Sequence, residues 1–348
     1  MLDVLIDRIR AAHADATALT ITGGGSKAFY GNPCAGAALD TTALTGIVDY
    51  QPKELVLTAR AGMPLDEIEA LLAEHEQMLA FEPPHFDGTA TLGGCVAAGL
   101  SGPRRPYAGS VRDFVLGVRM IDGAGQPLRF GGQVIKNVAG YDVSRLMAGS
   151  LGTLGLITEV SLKVLPRPAA ETSLQFELNE ADAILKMNQW AGQPLPLSAT
   201  SWHAGLLTVR LSGAASAVHA AQTRLGGEAL KEAAAFWQRV RDQSTPFFDQ
   251  RKLWRLAVKS STPPLQLGDA QWIEWGGAVR WLASDLPAAA LFEAAKGCGG
   301  HATLFRGDAL AGGNFSPLSP ALLRVHRNLK QRFDPRGIFN RGRLYPDM

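Results

Sequence analysis

The chain has 348 residues, room for two domains at about 100–200 residues each; 46% apolar and 19% charged residues exclude a mostly disordered chain and are too interrupted for membrane spans. Its 34 Lys and Arg against 32 Asp and Glu leave a net charge of +2, so no overall basic field points to nucleic acid. Cys34, Cys95 and Cys298 are far apart and form no CxxC pair, which excludes a disulfide framework and a cysteine-held zinc or iron–sulfur site and suits a reducing compartment.

In chain order, MLDVLIDRIR places Leu2, Leu5, Ile6 and Ile9 at helical spacing and carries Asp3 and Asp7, so it reads as an amphipathic helix of a cytoplasmic protein and not as a secretory signal. ALTIT (Ala18 to Thr22) is a strand running into Gly23, Gly24, Gly25, Ser26 and Lys27. Such a turn can converge its N–H groups into an anion nest, but taken alone it reads more often as a plain loop, because neither GxxxxGK[ST] nor GxGxxG is present, and its neighbours must decide. LVLTAR (Leu55 to Arg60) predicts a strand. Leu65, Ile68, Leu71, Leu72 and Met78 behind Pro64 predict a helix.

Glycine is in excess, 38 in all, and 15 of them fall between Gly88 and Gly155 without a Gly-X-Y repeat. A backbone of this kind must turn tightly or approach something closely. Within it FVLGVRMI (Phe114 to Ile121), Asp122-Gly123 and PLRF predict a hairpin. Val160, Leu162 and Val164 alternate with Glu159, Ser161 and Lys163 in a further strand, and Pro166 and Pro168 mark a boundary. From Glu171 to about Leu310, strand-like LTVRL (Leu207 to Leu211), Trp272 to Leu282 and TLF (Thr303 to Phe305) alternate with helical Asp182 to Trp190 and Leu230 to Val240, an α+β texture that holds all seven Trp. Leu322, Val325, Leu329 and Phe333 predict a last, basic-faced helix in a tail with seven Lys/Arg and two Asp from Arg324 onward.

Four ordered blocks, GGGSK, TLGGCVAAGLSGPRRPYAGSVRDFVLGV, IKNVAGYDVSRLMAGSLGTLGLITEV and FDPRGIFNRGRLYP, resemble the PCMH-type FAD-binding family of vanillyl-alcohol oxidase and the D-lactate dehydrogenases, in its glycolate/lactate branch. The resemblance implies an α+β fold: a two-subdomain FAD-binding domain over residues 1–168, an antiparallel-sheet cap over 169–315, and a segment over 316–348 returning to the FAD domain. It implies that Gly23, Gly24, Gly25, Ser26 and Lys27 hold the pyrophosphate, and that Gly93, Gly94, Cys95 and Ala98 lie along the cofactor. Ser101, Gly102, Ser110 and Val111 would stand near the flavin, and Gly152, Thr153, Gly155 and Ile157 would enclose its adenosine and flavin edges. Asn340 would reach the isoalloxazine or substrate.

No His stands where covalently flavinylated relatives carry one, so the FAD is expected to be non-covalent. Relatives hold a metal through two His seven apart; here His301 is followed by Asp308 at that spacing, and no metal is expected. The implied activity is oxidation of glycolate or another 2-hydroxy acid to the 2-oxo acid, with Arg104, Arg105, Arg341 and Arg343 as candidate carboxylate binders, Arg104 and Arg341 foremost. No catalytic base is singled out. Electrons would pass to partners, a larger homologous FAD subunit and an iron–sulfur subunit, in a complex touching the inner membrane peripherally. The alternative is a non-catalytic FAD-binding subunit, with turnover on the larger flavoprotein chain.

Overall fold

The computed structural model describes residues 1–86, 88–132, 142–268 and 270–348; residues 135–141 of the IKNVAGYD block lie outside them. Helix Leu2–Asp15 buries Leu5, Ile9 and Ala12, as its spacing requires. Strand Leu19–Thr22 pairs in parallel with Ala37–Asp40 and is bridged on its other side to Phe339, so the tail of the chain closes against its start. Leu19, Leu39, Ile338 and Phe339 pack there with the first helix.

A five-stranded antiparallel sheet stands beside this layer, in the order Ile47–Gln51, Val56–Arg60, Leu156–Lys163, Val115–Ile121 and Pro127–Gly131. Leu156–Lys163 is central, which explains why Ser161, placed by alternation on the polar face, is buried and hydrogen-bonded at 2.8 Å to Thr58. Helix Leu65–Glu74 covers the sheet through Leu65, Ile68 and Leu72. It stops short of Met78, because Glu76 turns left-handed (φ +53°) and Gln77–Met78 becomes a short strand against Leu165–Pro166.

The larger sheet has eight strands, all antiparallel, with Glu228–Ala229, Ala170–Glu177, Leu206–Gly213 and Leu197–His203 on one side and Gln271–Glu274, Val279–Ala283, Leu253–Ala257 and His301–Arg306 on the other. The sequence reading of Trp272 to Leu282 as one element is corrected: Trp275, Gly276 and Gly277 turn the chain between two strands. Helices Glu180–Ala191 and Ala288–Gly297 cover its outer face. Its inner face, bearing Trp272 and Trp281 and joined by Trp237 of helix Ala233–Asp242, packs on Phe86, Ala98, Leu100 and Leu151 from the glycine-rich part. Helix Pro320–Phe333 buries Phe333 but leaves Leu322 and Val325 about half exposed. Among the described residues, no helix is long and apolar enough to cross a membrane.

Candidate functional site

Strand Leu19–Thr22 delivers Gly23 to Lys27 to the rim of a concave cleft walled by Gly93, Gly94, Gly152 and Gly155, the kind of concave surface that small-molecule sites use. The loop runs hard against the segment before helix Leu92–Ala98: a Cβ on Gly24 would lie 1.5 Å from the Thr89 carbonyl oxygen, and one on Gly23 2.6 Å from Thr91 Oγ1. Gly25 is left-handed, with φ +77°. Among the described residues, the backbone N–H groups of Gly24, Gly25, Ser26 and Lys27 donate to no protein acceptor. Four successive free donors at a glycine turn form an anion nest. Lys27 Nζ stands 3.2 Å from Ser26 Oγ and over the Phe86 ring, and burial holds its ammonium below the ordinary lysine range.

The cleft wall is built from small residues. Gly93 donates to Ala61 O at 2.7 Å and Gly94 to Thr91 Oγ1 at 3.3 Å, and a Cβ on Gly93 would meet Ala61 Cβ at 2.7 Å. Gly93, Gly94, Ala97 and Ala98 line the cleft, as do Gly152, Gly155 and Ile157 on the opposite side. Asn340 joins the two sides: its Oδ1 accepts from Ile21 N at 2.8 Å and its Nδ2 donates to Leu151 O at 2.6 Å. It sits at φ +39°, a conformation that Asn tolerates better than most residues. Buried Lys330 anchors this end by donating to Thr153 O, Asp334 and Phe339 O at 2.7–2.8 Å.

Other expected residues lie elsewhere, each for a visible reason. Cys95 faces the core, where burial pushes its thiol up to about 12. Thr153 is buried, donating through Oγ1 to Ser150 O at 2.7 Å. Ser110 forms a capping box with Asp113, and Val111 is core, its N–H given to Ser101 Oγ at 3.0 Å. Ser101 and Gly102 border a second, smaller cavity against the eight-stranded sheet. Arg104, expected as a substrate ligand, is buried and paired with Glu82 and Glu171. Arg341, expected likewise, is exposed and donates to Ala16 O at 2.6 Å and to Gly337 O. Arg105 covers Trp275 at 4.5 Å. Arg343 borders the cleft but spends its guanidinium on Ala28 O and Asn32 O. Sequence reasoning missed Ile21, Cys34, Thr41, Ala61, Ala97 and Leu151 in the lining; only the small-residue run around Ala97 carried a signal.

Residues 2–131 match the FAD binding domain family. Over 346 residues the chain is 50% identical to glycolate oxidase subunit GlcE of Escherichia coli (strain K12), covering 99% of this chain and 97% of that one. The chain belongs to the GlcE family of FAD-binding oxidoreductase subunits. More distant members of this flavoprotein group match only in part. D-2-hydroxyglutarate dehydrogenase of Xanthomonas citri pv. viticola is 31% identical over 51% of this chain and 38% of its own, and glycolate oxidase subunit GlcD of Bacillus subtilis (strain 168) 34% over 39% and 29%. The fold is that of alkyldihydroxyacetonephosphate synthase, with TM-score 0.66 at 16% identity over 97% of this chain and 73% of that one.

The GlcE-family cleft suits FAD by its donor chemistry: free N–H groups at one glycine turn for a diphosphate, and glycine and alanine walls where an extended cofactor can lie against backbone. Closure depends on Asn340. Asn340→Ala leaves Ile21 N and Leu151 O unpaired, each at about 1–3 kcal/mol, and keeps a left-handed backbone that alanine resists. A loss of about 2–4 kcal/mol is expected in urea unfolding of the FAD-loaded chain.

Proposed function

We propose that this chain is the FAD-binding subunit of a complex that oxidises glycolate, or another small 2-hydroxy acid, to the 2-oxo acid and passes the electrons to a partner subunit. The observation that carries the reading is 50% identity to glycolate oxidase subunit GlcE along nearly the whole of both chains, with the glycine turn and small-residue cleft in place. FAD supplies the oxidising equivalent when bound. The N–H groups of Gly24 to Lys27 bind its diphosphate, and Gly93, Gly94, Ala98, Gly152, Gly155 and Ile157 shape the walls. Asn340 fixes the tail against the first strand, and Ser101 and Gly102 lie toward the substrate side.

The partners in this reading are a larger homologous FAD subunit and an iron–sulfur subunit, supported by the relative's designation as a subunit and by a tail helix whose Leu322 and Val325 stand exposed beside Arg324 and Arg327. Three free cysteines fit the cytoplasm, with the inner membrane reached through the complex.

Anaerobic mixing with glycolate tests the function. The purified chain should be yellow with one FAD, and glycolate should bleach the flavin band of the chain assembled with its partners. A chain that refuses FAD at micromolar concentration, or a yellow complex that lactate, glycolate and 2-hydroxyglutarate all leave oxidised, overturns the reading. Bleaching that persists in the complex when this chain carries no FAD assigns turnover to the partner.

A further inference from the structure

Strand alternation makes the inner face of the eight-stranded sheet largely apolar, but it also carries charge: Arg210 and Glu171 are paired with each other and with Glu82 and Arg104, and Arg255 and Glu274 stand apart from that network. Arg255 pairs across to Trp281, Trp281 to Trp272, and Glu274 to Val279, so Arg255 and Glu274 point with the tryptophans toward the glycine-rich part of the molecule. Arg255 rests on ring faces, its Cζ 4.9 Å from the centroid of Trp275 and 5.7 Å from that of Trp281. Among the described residues its guanidinium makes no hydrogen bond or ion pair. Glu274, only 5% exposed, accepts from Trp281 Nε1 at 2.8 Å.

Gln243, 8% exposed and left-handed at φ +52°, has a buried Oε1 with no partner. The three side chains line one small cavity, closed from the far side by Ser101 and Gly102. Trp275, Gly276 and Gly277 are left-handed in succession (φ +57°, +65° and +100°), and Trp275 Nε1 donates across the interface to Gly102 O at 3.1 Å. The left-handed Trp275 is a strained non-glycine backbone, kept where the surroundings hold it in shape, whereas Gly276 and Gly277 turn there without that cost.

We propose that this cavity binds the carboxylate of a small hydroxy acid, with Arg255 gripping the carboxylate and Gln243 and Glu274 hydrogen-bonding its remaining polar atoms. The assignment of the acid as a 2-hydroxy acid rests on the proposed function. Unpaired guanidinium donors in an aromatic box match a planar carboxylate, and the narrow space between the two halves favours a small acid.

Glu274 adds a pH signature. Burial pushes its carboxyl up to about 7, with Trp281 and Arg255 opposing and Glu82 assisting. Protonated, it donates to the ligand; ionised, it repels an anion. The other charged or titratable groups around it are Arg255, Arg105, Arg241, Tyr30 and His301. Burial holds the Tyr30 hydroxyl above its ordinary value and the His301 imidazole below its own, so both are neutral near pH 7 and the guanidinium groups stay charged.

The test is calorimetric titration of the FAD-loaded chain with glycolate. Wild-type protein should bind one equivalent, with affinity falling as pH rises through about 7, and Glu274→Gln should flatten that dependence. Arg255→Met should weaken binding at least ~30-fold with FAD content unchanged, and Arg255→Lys should recover part of the loss. If Arg255→Met fails to fold, Gln243→Glu is the second variant, expected to weaken binding at least ~10-fold by repulsion. Binding within twofold of wild type in the variants overturns the site. So does a wild-type chain that glycolate bleaches without saturable binding, which spares the functional reading; a chain with its partners that neither binds nor is bleached overturns both.

Discussion

Gly24→Ala is expected to strip FAD from the chain. The added Cβ would lie 1.5 Å from the Thr89 carbonyl oxygen and 2.6 Å from the Thr89 carbonyl carbon, so the obstacle is backbone and no rotamer change relieves it. Either the loop lifts off Thr89 or the segment leading to helix Leu92–Ala98 moves. Both displace the free N–H groups of Gly24 to Lys27 relative to Gly93 and Gly94. The apparent Kd for FAD should rise at least ~100-fold, about 2.8 kcal/mol, read by titrating apoprotein with FAD and by flavin content after purification. Gly25→Ala is the control. Nothing lies within 4 Å of its Cβ position, so only its left-handed backbone resists, at about 1–2 kcal/mol. If Gly25→Ala loses more FAD than Gly24→Ala, the diphosphate sits elsewhere.

That contrast also shows what the sequence could and could not convey. Three glycines after a β-prone run announced a special loop, because glycine is kept where other residues fail. The reason at Gly24 is contact with Thr89, sixty-five positions away, and no local pattern encodes it. In LGGCVAA the small residues were legible as a close-approach surface, yet Cys95 was placed with them. The segment is helical from Leu92 to Ala98, so Gly93, Gly94, Ala97 and Ala98 share the cleft face while Leu92, Cys95 and Val96 turn inward. Arg104 and Arg341 were attractive as free cations because charge is visible in sequence and partners are not. Glu82, Glu171 and the Ala16 carbonyl, which occupy them, come from distant segments. Arg255, Glu274 and Gln243 escaped for the same reason: three strand and helix-end positions acquire meaning only when the sheet sets them around one cavity.

Glu82→Gln should give the largest loss of stability. Glu82 takes the backbone N–H of Arg104 at 2.8 Å, its Nε at 3.2 Å, and Arg210 Nη2 at 2.8 Å. It thereby ties the glycine-rich half to strand Leu206–Gly213 of the large sheet. Arg104 and Arg210 are 8% and 3% exposed, and without the Glu82 charge the carboxylate left to both, among the described residues, would be Glu171, at 2.7 Å and 3.9 Å. Removing one partner from a buried ion network costs about 3–5 kcal/mol, because the remaining charges are left desolvated. Urea unfolding of Glu82→Gln should show that loss, and Ser101 and Gly102 should lose their register against Trp275, lowering glycolate affinity while FAD binding persists. Acid should act on the same lock. Burial alone would raise the Glu171 carboxyl, but Arg210, Ser212 and Arg104 hold it below its ordinary value. Its contribution is therefore complete above the ordinary glutamate range and disappears as pH falls through the lowered value. In Glu82→Gln, with more of the network resting on Glu171, acid unfolding should begin at higher pH than in wild type. A variant as stable as wild type, with an unchanged acid transition, would mean that the two halves are held by the aromatic packing around Trp281 and Phe86 and not by charge.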